Sequence, residues 1–218
     1  MESLKNIIAV CGWALPPEWF REQVQLAFPE SDVTLIYPND PFNADEAQQR
    51  LKNQPTDMYL GYSLGSLWLL RHRIFLSADA HKIALAPILA FPKEHYMGGK
   101  TDESKLKYFL NLLKRRSSNG ESALKDFYKA CEAPFPENRI EEIPEPDCLI
   151  KGLEFLKSIK VEPEAAQDFI AILGANDSFL DSDILRNLIP HLHVVDDAAH
   201  GPAPLLKALV RLLDEMKQ

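Results

Sequence analysis

Short apolar runs recur along the chain, each bounded by Gly, Pro, Asp or Asn. They are Asn6 to Cys11, Val33 to Tyr37, Asp57 to Tyr62, Lys82 to Ala86, Phe169 to Leu173 and Leu192 to Val195. Near-continuous apolar runs of this length predict parallel strands covered on both faces. Between them the spacing turns helical. Pro16 and Pro17 suit a helix start that continues from Glu18 to Phe28. Leu64 to Leu76 predicts a second helix. Pro202-Ala203-Pro204 opens a last one over Leu205 to Met216, with Leu206, Leu209, Val210 and Leu213 on one stripe. This alternation predicts βαβ units and a mostly parallel sheet flanked by helices.

The rhythm breaks between about Pro92 and Pro163, where no strand pattern occurs. Helical patterns do, over Ser104 to Arg115, Glu121 to Cys131 and Asp147 to Ile159. A Pro-rich, acidic connection through Pro134, Pro136, Pro144 and Pro146 separates the last two. The expected organisation is a core of residues 1–92 and 163–218, with residues 93–162 as a helical lid insertion. Such an insertion would sit over the strand C-termini, where open α/β sheets place their sites.

Gly61-Tyr62-Ser63-Leu64-Gly65 lies between an expected strand and an expected helix. This is the context of a GxSxG nucleophile elbow and implies the α/β-hydrolase fold. Ser63 would stand at a helix N-terminus, with the backbone N–H of Leu64 aimed at a developing oxyanion. A serine hydroxyl needs a base. Of the histidines, His72 and His81 lie on or after the helix behind the elbow, and His95 lies in the insertion. His191 and His193 bracket the last strand, a spacing that a metal could use. His200 alone sits on a loop between the last strand and the last helix, at the same sheet edge as Ser63. Asp177 follows Gly174-Ala175-Asn176 beyond the penultimate strand and is the expected acid. Asp181, Asp183, Asp196 and Asp197 are poorer placed, being past the turn or too close to His200 in sequence. The order Ser, Asp, His is that of the fold. The second oxyanion donor would be the N–H of Trp13, after the first strand; Trp13 also reads as a core aromatic.

The composition is that of a globular protein, 46% apolar and 26% charged. No apolar run reaches membrane-spanning length, and Ile7 to Val10 is too short for a signal-peptide core, so no membrane association and a cytoplasmic location are expected. Cys11, Cys131 and Cys148 show no paired spacing, so neither a disulfide framework nor a zinc site is expected. No metal and no cofactor is expected. The net charge of −8 argues against nucleic acid. Residues 93 to 129 nevertheless hold nine Lys/Arg against five acids. That stretch is either a solvated helical face or a docking surface for an acidic partner.

Taken together, these motifs resemble those of the pimeloyl-[acyl-carrier-protein] methyl ester esterases of biotin synthesis. That family's His-Gly-Trp-Gly loop is matched by Cys11-Gly12-Trp13-Ala14, and its Gly-Trp-Ser-Leu-Gly elbow by Gly61 to Gly65. Its Gly-Leu-Glu block is matched by Gly152-Leu153-Glu154, its Gly-x-x-Asp turn by Gly174 to Asp177, and its Ala-Ala-His by Ala198 to His200. Cys11 and Ala14 depart from the family's loop, and its N-terminal strands have no counterpart before Ile7. The resemblance implies hydrolysis of a methyl ester on an acyl chain, with the acidic carrier protein docking on the basic lid. It also implies a lid aromatic against the acyl chain, a role open to Phe109 or Phe127. A short-chain carboxylesterase, an acyl thioesterase and a catalytically silent acyl-carrier or ligand-binding scaffold are the rival readings.

Overall fold

A computed structural model describes residues 4–115, 124, 125, 127, 128 and 137–216. Six strands, β1 (Asn6–Val10), β2 (Asp32–Ile36), β3 (Met58–Tyr62), β4 (His81–Leu85), β5 (Ile170–Gly174) and β6 (Leu192–Val195), form one sheet. Its order is β2-β1-β3-β4-β5-β6, and every pairing is parallel. Every residue of β3 is buried, whereas the edge strands β2 and β6 keep exposed or half-buried positions. That gradient follows from helices covering the faces of a parallel sheet.

The helices are α1 (Pro17–Ala27), α2 (Ala44–Lys52), α3 (Leu64–Arg71), α4 (Glu103–Lys114), α5 (Pro146–Ser158), α6 (Ser182–Leu188) and α7 (Pro202–Glu215). Each expected strand is found within a residue of its expected bounds. The expected helix from Leu64 to Leu76 stops instead at Arg71. There the amides of Phe75 and Leu76 bond three residues back, to His72 and Arg73, and the chain tightens into a 3-10 turn.

Between β4 and β5 the described residues contain α4, α5 and only isolated bridges, such as Ala90 to Lys160. α4 and α5 pack against each other. Of the helix expected over Glu121 to Cys131, Leu124, Lys125, Phe127 and Tyr128 are helical. Glu121, Cys131, Arg116, Lys129, Pro134 and Pro136 lie outside the described residues. Among the described residues no helix is long and apolar enough to cross a membrane.

Candidate active site

The sheet order reverses between β1 and β3, and loops leaving adjacent strands on either side of such a point open a crevice. Four of the residues singled out in the sequence leave strand C-termini: Trp13 after β1, Ser63 after β3, Asp177 after β5 and His200 beyond β6.

Ser63 joins β3 directly to α3 with φ 52 and ψ −115. A non-glycine residue here stores on the order of 1–3 kcal/mol of backbone strain. The surroundings hold it. The Ser63 amide donates to Leu85 at 2.9 Å, and Ser66 Oγ donates to the Ser63 carbonyl at 2.6 Å. Gly65 lets α3 press onto β1, since a Cβ there would lie 2.2 Å from the Val10 carbonyl oxygen. A Cβ on Gly61 would lie 2.6 Å from the Gly65 carbonyl oxygen. The sharp elbow therefore requires small residues on both sides of the serine.

His200 Nε2 lies 3.0 Å from Ser63 Oγ, and His200 Nδ1 lies 2.7 Å from Asp177 Oδ2. A carboxylate only accepts, so the proton sits on Nδ1 and Nε2 is left to accept from the serine hydroxyl. All three residues are at most 7% exposed. The other carboxylate oxygen of Asp177 accepts from the backbone N–H of Phe179 at 2.8 Å and Leu180 at 3.0 Å. The competing acids have other places. Asp181 caps α6 through the amides of Asp183 and Ile184, while Asp183, Asp196 and Asp197 are exposed.

The Leu64 amide opens α3, where first-turn amides lack intrahelical partners. Trp13 is buried, its indole N–H donating to the Leu149 carbonyl in α5 at 2.8 Å. The Cys11 thiol is wholly buried, and desolvation pushes its pKa far up, which favours the neutral thiol at the start of the Cys11–Ala14 loop.

Supporting contacts come from side chains to which the sequence assigned no role. Tyr62, inside the elbow, donates its hydroxyl to the His200 carbonyl at 2.8 Å. The signal was an aromatic hydroxyl on a fully buried strand, which must find an acceptor. Phe179 sets its edge on the His200 ring at 5.0 Å. Lys100 Nζ donates to the Asp177 carbonyl at 2.7 Å. Of the other histidines, His72 is buried between the rings of Trp68 and Phe75, and burial lowers its pKa. His193 lies in β6 and His81 begins β4. Among the described residues no three His, Cys, Asp or Glu side chains gather as a metal site.

Ser63 and His200 open into a cavity of about 570 Å³, within the range of small-molecule sites. Its wall is mostly apolar, with Phe91, Phe109, Phe127 and Phe179 among its residues and Thr101 and Lys105 as polar ones.

No protein-family model and no curated protein matches the chain. Solved structures do. An esterase, EaEST, from Exiguobacterium antarcticum superposes with a TM-score of 0.75 at 16% identity, covering 98% of this chain and 93% of that one. The bottromycin epimerase BotH gives 0.68 at 14%, over 98% and 90%. BioG from Haemophilus influenzae gives 0.56 at 14%, over 91% and 90%. An esterase and an epimerase share this architecture, so likeness of fold leaves the reaction to be argued from the site. The chain has the α/β-hydrolase fold.

Proposed function

We propose that the chain is a serine hydrolase acting on carboxylic esters, with Ser63 as nucleophile, His200 as general base and Asp177 as its orienting acid. The hydrogen-bonded line Asp177–His200–Ser63, opening into an apolar cavity, carries this reading. His200 takes the hydroxyl proton as Ser63 Oγ bonds to the ester carbonyl carbon. The carbonyl oxygen becomes an oxyanion, held by the backbone N–H groups of Leu64 and Trp13. Collapse expels the alcohol, which takes the proton from His200. A water then gives its proton to His200 and attacks the acyl-serine. The acid leaves, and the proton returns to Ser63. Replacing Ser63 by Ala should abolish hydrolysis of a p-nitrophenyl ester; retained turnover would reject Ser63 as the nucleophile.

The apolar wall favours an acyl chain, and residues 93–162 are proposed as its lid, since α4, Phe127 and α5 contribute to the lining. The finer proposal is a pimeloyl methyl ester carried on acyl-carrier protein. It is supported by the sequence resemblance and by the basic stretch. Lys93, Lys107 and Lys114 already pair with Asp102, Glu103 and Glu154, so a docking carrier would exchange these pairs. Comparing the carrier-bound methyl ester with free short-chain esters and thioesters tests this. Faster turnover of the free esters would leave a general carboxylesterase or thioesterase.

A further inference from the structure

Ala14 has φ 57, a left-handed conformation that costs an L-residue on the order of 1–2 kcal/mol. The Gly12-Trp13-Ala14 loop therefore needs outside support to keep the Trp13 amide in one place. Two ties come from the segment between β4 and β5. Tyr128 donates its hydroxyl to the Ala14 carbonyl, and Leu149 accepts from the Trp13 indole at 2.8 Å. The same segment seats the indole ring. Phe109 and Phe127 meet it edge-on at 5.5 and 5.0 Å. Gly152 lies flush on it, for a Cβ there would stand 2.7 Å from Trp13 Cδ1. Tyr128 is 1% exposed and Trp13 is 3% exposed, so these bonds are shielded from competing water.

From this we infer that the segment does more than cover the cavity: it assembles the oxyanion site. The Tyr128 hydroxyl and the Leu149 carbonyl are positioning groups that fix the Trp13 amide relative to Ser63. The inference rests on the hydrolase reading above. A displaced amide weakens the transition state and leaves substrate binding nearly alone. Removing an oxyanion donor outright costs about 10²–10³ in kcat, and misplacing one costs less.

The experiment uses Tyr128→Phe, which keeps the ring, and Gly152→Ala, which pushes on Trp13 from α5. For each, kcat is measured per site titrated with a fluorophosphonate, together with KM and the Ki of a trifluoromethyl ketone that forms a tetrahedral adduct with the serine. The expected result is a kcat about 10- to 100-fold lower, KM within about threefold, and Ki raised in proportion to the loss of kcat/KM. A purely structural role would lower the titrated fraction and leave kcat per site unchanged. That outcome in both variants, or a change in KM alone, overturns the inference while leaving the hydrolase reading intact. A wild-type protein inert to ester and fluorophosphonate alike overturns both.

Discussion

Replacing Asp177 by Asn changes one atom and should silence the site through a tautomer. The carboxylate oxygen Oδ1 accepts from two backbone N–H groups, at 2.8 and 3.0 Å. An amide NH₂ there would face two donors, so the asparagine must keep its oxygen on that side. Its NH₂ then points at His200 Nδ1, where Oδ2 accepted at 2.7 Å. Facing a donor, Nδ1 must become the acceptor and the ring proton moves to Nε2. Nε2 then presents N–H to Ser63 Oγ and cannot take its proton. In triads of this geometry the wrong tautomer costs about 10⁴ in kcat, or about 5 kcal/mol of barrier. Packing is unchanged, so KM should move little and the protein should stay folded. Asp177→Ala differs: it strands the buried Leu180 N–H, at about 1–3 kcal/mol, and the half-buried Phe179 N–H, and should lower the unfolding midpoint as well. The assay is kcat and KM on a p-nitrophenyl ester near neutral pH, with circular dichroism as the folding control. Folded Asp177→Asn protein retaining activity within tenfold of wild type would refute the tautomer argument.

Two further expectations concern the frame. Gly65→Ala would place a methyl 2.2 Å from the Val10 carbonyl oxygen and 2.8 Å from that of Cys11, both backbone atoms. A loss of about 1–3 kcal/mol or more is expected in urea unfolding, and an unchanged midpoint would contradict the packing of α3 on β1. His72 is held neutral by burial, so the unfolded chain binds its proton more readily. Its contribution to stability is therefore present above its ordinary value of 6.5 and is lost as pH falls toward the lower folded value. The pH dependence of the urea midpoint should flatten in His72→Gln, and an identical slope would show that the buried imidazole titrates normally.

The strands were legible in the sequence because a parallel sheet buries both faces, leaving apolar runs that turn residues bound sharply. α2 and α6 were not singled out, for a physical reason. α2 buries only Ala47 and Leu51, and α6 only Leu185, so neither shows a stripe. Their caps were the usable signal: Asn43 accepts from the Glu46 amide, and Asp181 from Asp183 and Ile184. Ser63, Asp177 and His200 could be named because each follows a strand at one sheet edge. Their mutual distances leave no local pattern, and neither do the ties from Tyr62 to His200, Tyr128 to Ala14 and Trp13 to Leu149, which span 114 to 138 residues. The basic stretch read as net charge, yet much of that charge meets acids on its own and neighbouring elements, as Lys114 meets Glu154.

The most direct measurement is mass spectrometry of the intact and digested protein after treatment with a fluorophosphonate. One covalent adduct per chain, mapped to Ser63 and lost in both Ser63→Ala and His200→Ala, is expected if the serine is activated by the imidazole 3.0 Å away. An unmodified chain, or an adduct on another residue that persists in Ser63→Ala, would contradict hydrolysis at this site.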